Sequence, residues 1–404
     1  MTVLRGRTIR ARSLALLAGL ALVAGCSSGG DDDAGDGRDA GSGGETAAVE
    51  GGDEVVFPGG EWERATDAAE LGFDQVALDA IAADAEQAGS NCLLVTRHGE
   101  VAGEWYWNGT DATSRQEVFS VTKSLTSTLV GIAQARGDLD IDDKASEYID
   151  AWVGTESEDV TVRNLISNDS GREQTPEIDY GQLPGQADLD AFATGLGQDA
   201  PPGTTWVYNN SAIQTLDVVL REATGEDAHA FAEETVFEPI GMDDSEISTD
   251  EAGNTRMFMG LQSTCEDLAR FGYLFLRDGQ WDGTEVVPED WVEAAVGQAS
   301  QELNSSYGYL WWLNRVGTAQ GAGQATGSGA AGEGAAGEAT QMVPGAPEDM
   351  FFALGLGSQI VAVDPGSETV VVRLGGARAP AGSTPFGTAA AARVVTEALV
   401  DPDA

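Results

Sequence analysis

The order of hydrophobic patterns along the chain predicts an α+β fold with a mainly antiparallel sheet flanked by helices. Three observations carry this. Apolar, β-branched runs gather near the two ends of the folded segment, with a strand pair within residues 92–107 and three more strands between residues 351 and 374. The stretch between them reads as short helices and loops with few strand signals. Tight turns join consecutive strands, so neighbours run antiparallel and the sheet is assembled from both ends of the chain.

The elements follow in order. Arg5, Arg7, Arg10 and Arg12 precede an apolar run, Leu14 to Ala24, that is short for a membrane span and ends in Val23-Ala24-Gly25-Cys26. That ending resembles a bacterial lipobox. Residues 1–26 are therefore expected to be a lipoprotein signal peptide, with lipid attached at Cys26 and the protein anchored to the outer face of the cell membrane. Residues 27–60 are Gly, Ser, Asp and Ala with almost no large apolar side chains, and so predict a disordered acidic linker. Residues 61–404 are long enough for a sizeable core. Within them, 67–88 reads as a helix, Cys92 to Arg97 as a strand, His98-Gly99 as a turn and Glu100 to Trp107 as the returning strand. Ser120 to Gly137 is a helix stopped by glycine. A mostly helical region is expected over about 138–250, and a flexible Gly/Ala loop over 317–339. Strands at Phe351 to Ala353, Ile360 to Val363 and Thr369 to Leu374 follow, then a closing helix over 387–400.

Composition limits the function. The 404 residues carry 67 acidic and 21 basic side chains, a net charge of −46. The acids are spread along the whole chain, which argues against nucleic-acid partners and against docking on anionic lipid heads. The two histidines, His98 and His229, read as a turn residue and a helix flank. No Cys/His spacing suits a metal, and no cofactor is implied. Besides Cys26 there are Cys92 and Cys265. An exported chain permits a disulfide between them, and two buried thiols are the alternative.

The chemistry is concentrated in three places. Ser120 and Lys123 lie three residues apart at a helix start, on one helix face, where backbone N–H groups favour a developing oxyanion. The chain has only two lysines, the other being Lys144. A desolvated lysine can activate a serine hydroxyl. Tyr208-Asn209-Asn210 follows in a Pro/Gly-rich loop leading into a helix. There a phenol could relay the serine proton, and Asn210 could support the lysine or an acyl carbonyl. Gly355-Leu356-Gly357-Ser358-Gln359 lies between two late strands, where a Gly-rich edge lets a substrate carbonyl approach the backbone.

Ser-x-x-Lys, then Tyr-x-Asn, then a Gly-rich late strand resembles the class C β-lactamase-like serine hydrolases, a superfamily that includes esterases, D-amino-acid-specific peptidases and 6-aminohexanoate-dimer hydrolases. Further resemblance lies in Asn164 to Gly171, Phe237 to Met242, Gln262 to Gly272 and Tyr307 to Trp312. The resemblance implies the β-lactamase/transpeptidase-like fold, with Ser120 as nucleophile, Lys123 as its activating partner, Tyr208 as base or proton relay and Asn210 as polar support. It also implies an oxyanion hole from the N–H of Ser120 and that of Gln359, and a small-molecule or peptide-like ester or amide as substrate. One departure bears on the substrate pocket. Where β-lactamases and penicillin-binding proteins of this fold carry Lys-Thr-Gly, this chain has Leu356, Gly357 and Ser358, without the cation that holds a β-lactam or D-alanine carboxylate.

Three other readings compete. A Ser-His-Asp hydrolase fails because neither histidine is matched by a Gly-x-Ser-x-Gly serine within residues 61–404. A penicillin-binding carboxypeptidase or β-lactamase is disfavoured by the missing late lysine. A non-catalytic binding lipoprotein is disfavoured by the intact Ser120, Lys123 and Tyr208.

Overall fold

A computed structural model of the chain describes residues 55–318 and 340–404. The leader with Cys26, the linker up to residue 54 and most of the low-complexity segment, 319–339, lie outside the described residues. The fold is α+β. Its main sheet has six antiparallel strands in the order β2-β1-β11-β10-β9-β8. Strands β1 (Ser90–Arg97) and β2 (Glu100–Tyr106) form the expected hairpin, turning at His98 and Gly99, both at positive φ. Three very short strands, β3 (Gln116–Glu117), β4 (Glu246–Ile247) and β5 (Leu261–Ser263), make a second sheet ordered β3-β5-β4. A small hairpin pairs β6 (Gln280–Trp281) with β7 (Thr284–Glu285). The edge strand β8 (Trp312–Leu313) then leads to β9 (Phe351–Gly355), β10 (Gln359–Asp364) and β11 (Thr369–Gly375). Strand β11 pairs with β1, so the two chain ends close one sheet as the pattern predicts.

Helix α1 (Gln75–Gln87) is shorter than its sequence pattern. Gly72, at φ 76°, ends a short 3₁₀ turn over Ala68–Leu71, and Asp74 then caps a new helix by accepting from Val76 N at 2.8 Å. The helix expected from Ser120 is also divided. A 3₁₀ turn, Phe119–Val121, carries the serine, and α2 (Thr122–Arg136) begins after it and ends at Gly137 in the left-handed conformation. Between residues 162 and 240 come α3 (Val162–Ile166), α4 (Leu189–Gly195), α5 (Asn210–Gln214), α6 (Leu216–Thr224), α7 (Ala228–Ala232) and α8 (Glu238–Ile240), which account for the helical region. Helix α9 (Cys265–Leu276) lies across β1, β10 and β11. Gly272 permits that approach, because a Cβ there would come within 2.7 Å of Val370 Cγ1.

The ordered domain starts earlier than residue 61. Tyr273 Oη donates to Val56 O at 2.6 Å, and Arg270 donates to Pro58 O and Gly59 O. Phe57 packs edge-on against Tyr273 at 5.9 Å. Linker composition hid one aromatic and several carbonyls that α9 captures.

Cys92 on β1 and Cys265 at the first residue of α9 are disulfide-bonded, with Cα atoms 6.6 Å apart. The bridge spans 173 residues and pins α9 to the sheet. A loop of that length restricts the unfolded chain by about 5 kcal/mol in the chain-entropy model. Exported protein, denatured without reductant and treated with an alkylating agent, should take up no label at either cysteine. A mass increase at both cysteines would show the bridge does not form.

Candidate active site

The site forms where the Phe119–Val121 turn, the end of β9 and the loop before α5 meet. Phe119 adopts φ 48°, a costly conformation for a phenylalanine, immediately before Ser120. Several bonds hold it there. Phe119 N donates to Glu117 Oε1 at 3.2 Å, and Thr122 Oγ1 donates to Phe119 O at 2.6 Å. Glu117 Oε1 also accepts from Gly260 N at 3.1 Å, so one carboxylate ties the Ser120 turn to the segment bearing Phe258. Burial raises the Glu117 pKa, against the hydrogen bonds that favour its charge.

Lys123 is buried in α2, 1% exposed. Its Nζ donates to Ser120 Oγ at 2.7 Å and to Phe258 O at 2.8 Å. The same nitrogen lies 4.8 Å from the centroid of the Tyr208 ring and 5.7 Å from that of Phe258. Desolvation drives the Lys123 pKa well below its usual value, and the charge of Asp179 opposes the shift. Asn210 was expected to support the lysine or an acyl carbonyl. The lysine is bonded to the carbonyl of Phe258; Asn210 gives its backbone N–H to Asp179, and its Oδ1 is buried without a hydrogen-bond partner.

Tyr208 is as deeply buried, and its hydroxyl makes no hydrogen bond. Burial pushes its pKa well above the phenol range, Tyr307 adds to this, and the nearby Ser120 hydroxyl pulls the other way. The loop is braced by Asn168, whose O accepts from Val207 N at 2.9 Å and whose Oδ1 accepts from Asn209 N at 3.2 Å. Asn209 caps α5 by accepting from Ala212 N at 2.7 Å. Aromatic rings pack around Tyr208, with Tyr307 and Trp312 centred 6.3 and 5.7 Å from it.

The Gly-rich segment is the hairpin between β9 and β10. Gly355 lies against the Val118 carbonyl, where a Cβ would come within 2.2 Å of the oxygen, so only glycine lets β9 reach the Ser120 turn. Gln359 pairs with Gly355 across the ladder and its side chain is fully buried. That side chain donates to Leu356 O and Gly375 O and accepts from Gly375 N, which fixes the hairpin. Leu356 projects from it, 38% exposed. Arg373 sits beneath. It donates to Gly357 O, Ser358 O and Ser90 Oγ, and is 2% exposed, so this cation is spent on the protein.

Ser120, Lys123 and Tyr208 thus come together in space. Residues 78–396 match the family model described as Beta-lactamase. The chain belongs to the Beta-lactamase family. It is 26% identical over 268 residues to the 6-aminohexanoate-dimer hydrolase of Paenarthrobacter ureafaciens, covering 59% of this chain and 68% of that protein. Its fold is similar to that of a family VIII carboxylesterase, with TM-score 0.60 and 15% identity over 83% of this chain and 98% of that one. It is also similar to that of a penicillin-binding protein homologue from Caulobacter crescentus, with TM-score 0.59 and 14% identity over 84% of this chain and 97% of that one. As a member of this family the protein is a serine hydrolase.

Sequence reasoning missed Glu117, Phe119, Asp179 and Phe258.

Proposed function

We propose that this is an exported hydrolase that cleaves a neutral ester or amide through an acyl-enzyme on Ser120. The observation that carries the reading is the buried 2.7 Å contact between Lys123 Nζ and Ser120 Oγ. With the amine uncharged, the contact runs in the opposite sense, and Oγ–H gives its proton to the Nζ lone pair as Oγ attacks the carbonyl carbon. The N–H of Ser120 and one from the 356–359 hairpin, Gln359 being the candidate, would hold the resulting oxyanion. Collapse breaks the bond to the leaving group, which takes a proton from Tyr208, and Lys123 returns that proton to the phenol. The opposed pKa shifts favour this division, a neutral amine as base and a neutral phenol as acid, over a resting phenolate. Water then repeats the sequence on the acyl-enzyme.

Leu356 at the hairpin tip is apolar and Arg373 beneath it is committed to carbonyls, which favours a neutral substrate over one bearing a carboxylate. The 6-aminohexanoate-dimer hydrolase and carboxylesterase relatives support an amide or ester substrate. A panel of short p-nitrophenyl esters, a linear amide and nitrocefin tests this. We expect a higher kcat/KM for at least one ester than for nitrocefin. Ser120→Ala should lose several orders of magnitude in kcat, Lys123→Ala and Tyr208→Phe nearly as much, and the double variant little more. Ser120→Ala activity within about tenfold of the parent would refute the assignment.

The leader supports lipid attachment at Cys26 and anchoring to the outer face of the cell membrane, with 27–54 as tether. Cys26→Ser should move the protein from the membrane fraction to the soluble or secreted fraction. Unchanged membrane association would remove the anchor from the account.

A further inference from the structure

The first turn of α5 is held by a carboxylate from another segment. Asp179, in the helical turn Glu177–Gln182, is fully buried. Its Oδ2 accepts from Asn210 N at 2.7 Å, and its Oδ1 from Ser211 N at 3.2 Å and Ser211 Oγ at 2.6 Å. Gln174 Nε2 donates to Oδ2 at 3.4 Å. Together with the Asn209 cap, the first three N–H groups of α5 all have side-chain acceptors. The backbone that follows Tyr208 is thereby fixed. Among the described residues no salt bridge neutralises Asp179, so its charge acts on what surrounds it. The titratable groups it faces are Lys123 from α2, Tyr208 from the loop before α5 and Tyr180 beside it.

We infer that Asp179 is a positioning residue for the Lys123–Tyr208 pair, fixing the turn that carries Tyr208 and setting through its charge the pH at which Lys123 becomes a base. This rests on the reading of Ser120, Lys123 and Tyr208 given above. A lysine in a dry site next to an aromatic wall has only this nearby carboxylate acting against complete loss of its charge. Burial raises the pKa of Asp179 itself, while its hydrogen bonds from Ser211, Asn210 and Gln174 favour the ionised form. The sign of its influence follows. A negative neighbour stabilises the ammonium, so removing it lowers the Lys123 pKa. The acid limb of the kcat/KM profile, which reports formation of the neutral amine, then moves to lower pH. Weakening the bonds that keep Asp179 ionised should act in the same direction, but less. A residue that only caps a helix would lower stability without moving the limb.

The test is the pH profile of p-nitrophenyl ester hydrolysis for the full chain, Asp179→Asn and Ser211→Ala. The acid limb of Asp179→Asn should move down by about half a pH unit or more, that of Ser211→Ala by less, and kcat of Asp179→Asn should fall about tenfold with KM little changed. If Asp179→Asn does not fold, Ser211→Ala decides alone: a downward shift supports the inference and an unmoved limb overturns it. Unmoved limbs in both variants overturn it as well. Fluorophosphonate labelling of the parent separates the two levels. Labelling of Ser120 with unmoved limbs refutes the role of Asp179 only. No labelling of Ser120 refutes the site itself and this inference with it.

Discussion

The contact on which the rest of the site depends is the one between the Lys123 amine and the Ser120 hydroxyl, made inside the protein. An ammonium in an apolar interior is costly to keep charged, and shedding the proton is cheaper. The uncharged amine still needs a partner, which the Phe258 carbonyl provides at 2.8 Å. The rings of Tyr208 and Phe258 cover the nitrogen. A weakly nucleophilic hydroxyl thus has against it an amine whose proton affinity is lowered by burial, without a histidine. The same burial pushes the Tyr208 phenol up, so one dry environment shifts the two groups in opposite senses, as the proposed acid and base require.

Holding that amine dry explains features of the fold that would otherwise look wasteful. Helix α2 is buried from Thr122 to Ala133, although Ser and Thr make up much of it. Most of those hydroxyls are satisfied internally, Ser124 donating to Leu310 O, Thr126 to Met257 O and Thr128 to Ser124 O, while Ser127 Oγ is buried without a partner. Such a helix can pass through the core and still present Lys123 at the site. Gly131 lets Trp291 lie flat against it, since a Cβ there would fall within 2.4 Å of the indole. The strain at Phe119 is the other side of this design. The turn lifts Ser120 off the helix proper, and Glu117 and Thr122 hold the unfavourable φ in place.

Much of this was legible in the chain. The period-2 runs at both ends gave the antiparallel sheet, and the hairpin at His98-Gly99 fell where the turn residues stand. Ser120, Lys123 and Tyr208 were legible because their chemistry is local to short motifs. What escaped had physical reasons. Strands β3 to β8 are two or three residues long, too short for any period to register. Gly72 divides the first helix by a local backbone choice that helix propensity does not reveal. Phe258 acts through its carbonyl, which carries no side-chain signature. Glu117 and Asp179 are ordinary acids among 67, and only the folded contacts single them out.

The central claim is that burial beside Ser120 drives the Lys123 amine well below the ordinary lysine range. The chain's two lysines make this directly measurable. With ¹³Cε-labelled lysine, NMR should give two resonances, and Lys123→Arg assigns them. Lys144 is exposed and bonded to Asp159 at 2.5 Å, which raises its pKa, so it should titrate above the ordinary lysine value. The account predicts that the Lys123 resonance titrates well below 10.5. Two resonances that both titrate at or above 10.5 would contradict it.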